Sequence, residues 1–145
     1  MAVKGGLKGI ETVTAGLNKE LGQLTIRGVN GMRRAVILIR GSMETTPPLV
    51  PIGKSRKNYV GGNLRASWFQ EFINNAATGQ VGVVFGFNAN YAVYVHEMMD
   101  DTYVASGEEI NWSRPGSGPK FLEASVKRNS KEIVRLIALS MKTGK

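Results

Sequence analysis

Three features of the chain predict an α+β fold. Residues 17–43 and 119–142 carry apolar side chains at steps of three and four, the spacing of one helix face. Between them, residues 64–73 and 80–87 are rich in Phe, Ile and Val and are separated by the turn signal Asn74-Asn75-Ala76-Ala77-Thr78-Gly79. No repeat or long linker divides the chain, so a single α+β domain is expected over residues 16–145, behind an N-terminal arm at 1–15. The predicted order is a long N-terminal helix, an antiparallel sheet of about four strands, a short helix, a hairpin and a C-terminal helix.

The chain has 145 residues, no cysteine and a net charge of +8. This length is enough for one domain with its own core. No apolar run approaches the roughly 20 residues that span a bilayer. Residues 1–16 lack the apolar centre of a secretory signal, so neither membrane insertion nor export is expected. The absence of cysteine excludes disulfides and fits an intracellular origin. The positive balance favours nucleic acid, anionic membrane or acidic protein surfaces without choosing among them.

Residues 1–15 contain three glycines and little periodicity, and read as a flexible arm. In the following helix, Leu17, Leu21, Leu24, Met32, Val36, Ile39 and Met43 share one face, with Gly28 in the missing place. Each of Gly22, Gly28, Gly31 and Gly41 costs about 1 kcal/mol against alanine in a helix interior. The helix is therefore expected either to break near 28–31 or to take another backbone close against it there. Pro47 ends it, because the residue before a proline avoids the helical region.

Residues 46–68 join this helix to the strands. Pro47, Pro48 and Pro51 make the lead-in extended, residues 53–58 form a polar, basic tip, and Gly61-Gly62 supplies a tight turn. Leu64-Arg65-Ala66-Ser67-Trp68 then enters the first strand. The triplet Gly53-Lys54-Ser55 is similar to part of a phosphate-binding loop. Pro48 stands where that motif needs its first glycine and no strand precedes it, so the nucleotide reading is rejected.

In the second strand Val81, Val83 and Phe85 lie on one face, and Gly82, Val84 and Gly86 on the other. Residues 88–99 fit a short helix capped by Asn88 or Asn90. Residues 100–118 read as loop with a hairpin, its strands at 102–105 and 110–112. Tyr103 and Trp112 on that hairpin either meet a partner or fold back on the core. The last helix opens at Pro119, which suits a first turn. Its expected buried stripe is Leu122, Val126, Ile133, Leu136, Ile137 and Met141.

Little in the chain signals chemistry. His96 is the single histidine and sits beside Glu97. A metal site needs three or four ligands, and neither cysteine nor a second histidine is present to supply them. The pair His96–Glu97 fits an acid–base couple, but on an apolar segment it fits a core or interface histidine with a local partner better. No G-x-S-x-G nucleophile motif occurs. No cofactor and no enzymatic activity are expected. Lys54, Arg56 and Lys57, with Tyr59 and Arg65, combine charge with an aromatic, as in a groove that tracks phosphates. No helix-turn-helix, zinc-finger or RNP signature accompanies them, so non-specific contact with DNA is the most they support. A non-specific nucleic-acid-binding module is thus the alternative reading of the chain; an acidic protein partner would suit the same loop.

Three segments carry a family resemblance. Residues 47–67 resemble a P-x-x-x-G-x-L-R-x-S pattern, with Gly62, Leu64, Arg65 and Ser67 in the matching places. Asn90-Tyr91-Ala92-Val93-Tyr94-Val95-His96-Glu97 resembles the Y-A-x-x-V-E-like segment that follows it. Gly118-Pro119-Lys120-Phe121-Leu122 resembles the G-x-x-F-L opening of a C-terminal helix. In this order, over residues 17–142, the chain resembles the head–tail joining, or tail-completion, proteins of tailed bacteriophages. It departs from them where Tyr59-Val60-Gly61-Gly62-Asn63 replaces a short D-T-G, and where Met98-Met99 replaces a glycine. The resemblance implies a non-enzymatic virion protein of the neck, made in the host bacterial cytoplasm. Its partners would be copies of itself in a ring, six-fold expected and twelve the alternative, with the head connector or adaptor and the tail terminator. Basic loops would line the DNA channel or dock on a neighbouring ring. The expected partner contacts are Pro47, Pro51, Lys54, Arg56, Lys57, Tyr59, Arg65, Tyr103 and Trp112, and Lys54, Arg56 and Lys57 are the expected DNA contacts.

Overall fold

The computed structural model describes residues 5–53, 61–97 and 114–142. Helix α1 (Gly5–Thr45) is followed by a one-turn helix α2 (Asn63–Ala66), strands β1 (Trp68–Asn75) and β2 (Gln80–Phe87), a short helix α3 (Ala92–Glu97) and helix α4 (Phe121–Lys142). The mixed helix–strand class, the long first helix, the antiparallel pairing and the last helix match the expectation. The sheet has two strands among the described residues, not about four. The hairpin expected at 102–112 lies outside them.

Helix α1 corrects the sequence reading at its start. The stretch expected to be a flexible arm is helical from Gly5. A helix already nucleated in its packed part extends at little cost per residue, so three scattered glycines do not stop it. The stripe of the middle of α1 is buried as expected: Val36, Ile39 and Met43 are each nearly inaccessible. Helix α4 runs antiparallel to α1 along this stripe. Near one end of the contact Ser125 Oγ donates to the Ile39 carbonyl at 2.8 Å, and near the other Gly31 meets Ile137 and Ser140.

Gly31 explains why α1 does not break. A Cβ built on it would lie 2.8 Å from the Ile137 Cα and 3.1 Å from the Ser140 Cβ. At Gly28 it would lie 3.0 Å from a Val81 methyl and 3.6 Å from the Met141 sulfur. Of the two expected outcomes, the close approach of a second backbone is the one that occurs.

The strands pair from Trp68↔Phe87 to Asn75↔Gln80. The turn between them is an Asx turn: Asn75 Oδ1 accepts from the Ala77 and Thr78 amides at 3.1 and 3.3 Å. Gly79 closes it at φ 70°, with Leu21 of α1 seated where a side chain would be. Trp68, Phe72, Val81, Phe85 and Phe87 share the sheet face that packs toward the helices, and Phe69, Glu71, Ile73 and Val84 share the other. The first strand begins at Trp68, not at residue 64. Gly62, at φ 83°, opens one helical turn, and the Ser67 amide closes it onto the Asn63 and Leu64 carbonyls. That turn sends Leu64 into the core.

The core gathers at the C-terminal end of α1. Ile39, Met43, Val50, Leu64, Ala92 and Phe121 form one buried cluster, ringed by Trp68, Phe85, Phe87, Tyr91, Val95, Leu122, Val126 and Ile133. The remainder of the α4 stripe, Leu136, Ile137 and Met141, is half-buried against α1.

Candidate partner-contact site

The loop that follows α1 is held at its base by charges. Glu44, in the last turn of α1, accepts from Arg65 Nε at 2.7 Å and from Arg114 Nη1 at 3.0 Å, while its own carbonyl accepts from Arg114 Nη2 at 2.6 Å. Arg128 of α4 donates to the Pro47 and Thr46 carbonyls at 2.7 and 3.1 Å. The backbone adds two ties, Leu49 N to Gly116 O at 2.8 Å and Val50 N to Met43 O at 3.0 Å. The Pro47–Pro48 peptide is cis, and Gly116, at φ 80°, and Gly118 lie against Leu49, Pro47 and Pro48. Each proline here removes a backbone donor, so the loop's carbonyls are satisfied by arginine side chains instead of by a ladder. The result is a cross-tied frame formed by the segments on either side of residues 54–60.

A second knot joins α3 to the start of α4. Glu97 accepts from Lys120 Nζ, and His96 Nδ1 lies 2.8 Å from its other oxygen. With the proton on Nδ1, His96 donates to that carboxylate, and Nε2 is left to accept from the Glu123 amide at 3.5 Å, an orphan donor of the first turn of α4. The His96 carbonyl accepts from the Lys120 amide at 2.8 Å, which fixes Lys120 at φ 56°, a left-handed conformation that residues with a Cβ seldom adopt. Lys120, and then His96, hold the Glu97 carboxyl below its ordinary range. The same contact lifts Lys120 above its ordinary value. Glu123 is also lowered, mainly by Lys127. The His96 ring stands edge-on to Phe121 at 5.1 Å. A shallow, largely apolar pocket of about 200 Å³ lies alongside, between Phe87, Ala92, Val93, His96, Glu97, Phe121 and Leu122.

This arrangement is a cap and a clamp. Both ring nitrogens of His96 are committed to Glu97 and to the α4 amide. Among the described residues no group of three or more His, Asp or Glu side chains gathers to hold a metal ion, and no helix is long and apolar enough to cross a membrane.

The residues singled out in the sequence fall in different places. Lys54, Arg56, Lys57, Tyr59, Tyr103 and Trp112 lie outside the described residues. Pro47 is exposed beside the frame. Pro51 is buried, so it supports the loop and does not offer a contact. Arg65 is half exposed but spends its guanidinium on Glu44. Sequence reasoning passed over Glu44, Arg114, Arg128 and Lys120, which build the frame. The signal available for Glu44 was a lone acid in a helix end followed by prolines and basic residues. No protein-family model, curated protein or solved structure matches the chain.

Proposed function

We propose that this chain is a structural subunit of the neck of a tailed bacteriophage. In this reading it joins the head connector to the tail as one member of a ring around the DNA channel, six-fold expected and twelve the alternative. It works as an adaptor, not as an enzyme. Loops held on a stiff base meet unlike proteins above and below.

The reading is supported by where the three resembling segments go. They are far apart in sequence, yet Leu64, Ala92 and Phe121 meet in one buried cluster. Lys120 of the third segment ties to Glu97 of the second, and Gly118 lies against Pro48 of the first. Three motifs that jointly build one frame are what a docking protein needs, because a base fixed before binding lowers the entropy lost when a partner is met.

The test is electron microscopy of tailed particles assembled without this chain. The expected outcome is DNA-filled heads lying apart from finished tails. Intact, infectious virions would overturn the proposal.

A further inference from the structure

Between Glu20 and Glu44, helix α1 carries four arginines and no acid. Arg33 and Arg40 stand seven residues apart, and so do Arg27 and Arg34. That step is about two turns, so each pair forms a row along the axis with its charges about 10 Å apart. The rows lie on either side of the exposed stripe of Ile26, Asn30, Ile37 and Gly41, on the side of the helix turned from the core. None of the four arginines forms an ion pair among the described residues. The next acid along the helix, Glu44, is already shared by Arg65 and Arg114. Glu71 of β1 lies on the sheet face turned away from the helices. Helix α4 differs: there Lys127 pairs with Glu123 and Arg135 with Glu132, so much of its charge is balanced where it stands.

Two of these guanidiniums are held in place. That of Arg33 sits 5.2 Å over the Phe72 ring and that of Arg40 sits 5.3 Å over Trp68. A cation kept over a ring has less freedom to lose when it meets a ligand. Trp68 is itself packed on Phe85 and Phe87, so it is no platform for an unpaired base. Positive charge set along about 20 Å of helix suits a rigid rod of negative charge. Duplex DNA is such a rod, with one phosphate charge for about every 1.7 Å of its axis. We infer that this arginine face is a binding site for the phosphate backbone of duplex DNA. The stripe between the rows offers one polar side chain, Asn30, so the contact is to the backbone and reads no sequence. The site is separate from Lys54, Arg56 and Lys57. It deepens the neck reading and rests on it only for turning α1 toward the channel.

Arg33, Arg34 and Arg40 are exposed, so variants test the site directly. Fluorescence anisotropy of a labelled duplex of arbitrary sequence is measured against the full chain at about 50 to 200 mM salt. Three phosphate contacts correspond to a slope of about −2.7 in log K against log salt, and the wild type is expected to bind with a slope at least that steep. Arg33→Gln/Arg34→Gln/Arg40→Gln is expected to bind at least about tenfold more weakly at low salt and to lose about 2.7 of the slope. Arg33→Lys/Arg34→Lys/Arg40→Lys keeps the charge and should keep the slope, which separates loss of the site from loss of the fold. Lys127→Gln/Lys131→Gln/Arg135→Gln removes the same charge from α4 and should leave the slope unchanged. A wild type that does not bind, an α4 variant that loses as much slope as the glutamine variant of α1, or a lysine variant that falls with it would overturn the site. So would polyglutamate that displaces the duplex at equal charge, which would point to an acidic protein instead. None of these outcomes alters the particle test above, and normal virions in that test would leave this contact standing.

Discussion

Gly31→Ala adds one methyl group in the middle of α1 and sets two effects against each other. Alanine is the better helix former by about 1 kcal/mol. The new Cβ, however, would lie 2.8 Å from the Ile137 Cα and 3.1 Å from the Ser140 Cβ. Carbon atoms settle at about 3.5–4 Å, so α1 and α4 must part by roughly 0.7 Å. The atom in the way belongs to the backbone and cannot rotate aside, which puts the overpacking cost near the upper end of about 1–3 kcal/mol. The net expectation is a loss of about 2 kcal/mol. Gly22→Ala is the control, since no heavy atom lies within 4 Å of its Cβ position, and it should gain about 1 kcal/mol. For a chain of this length 1 kcal/mol moves Tm by about 3–4 °C. Thermal and urea unfolding followed by circular dichroism should therefore place Gly22→Ala about 3 °C above the wild type and Gly31→Ala about 6 °C below it. A Gly31→Ala protein that melts above the wild type would refute the close helix approach.

Two further changes probe the frame. Glu44→Gln removes the charge shared by Arg65 and Arg114 and turns one of its two acceptor oxygens into a donor, all three side chains being partly shielded from water; a loss of roughly 1–2 kcal/mol is expected, and a double-mutant cycle with Arg114→Met should give a clear coupling energy. The Glu97–Lys120 contact sets a pH window. Glu97 titrates below its ordinary value, so its stabilisation is present above the ordinary carboxylate range and is lost as pH falls through the lowered one. Lys120 titrates above its ordinary value, so its share is complete below the ordinary lysine range and is lost as pH rises through the raised one. The wild type should lose Tm relative to Glu97→Gln on acidification below about pH 4.5, and parallel curves there would exclude the contact.

What could be read from the chain beforehand follows the range of the forces. The phase of α1 was legible because Val36, Ile39 and Met43 repeat at helical steps, and the hairpin because Asn75 and Gly79 carry local turn chemistry. The start of α1 was not, because Gly5, Gly6 and Gly9 argue against a helix there, and propagation from a packed neighbour overrides them. Residues 64–67 misled because Leu-Arg-x-Ser-Trp looks extended, while the turn is closed by Ser67 Oγ on the Leu64 carbonyl, 2.7 Å away. The frame was hidden for another reason. Glu44 meets Arg65 and Arg114 across 21 and 70 residues of chain, and nothing local says which acid pairs with which base. His96 beside Glu97 suggested a possible couple, and only the arrival of the α4 amide reveals a cap.

The most direct measurement is the position of this chain in assembled particles. A C-terminally tagged copy, labelled with gold and viewed in purified virions, should place the label at the junction of head and tail, in a cluster set by the ring's copy number. Label on the capsid shell or the tail tip, or label confined to free protein, would contradict the account.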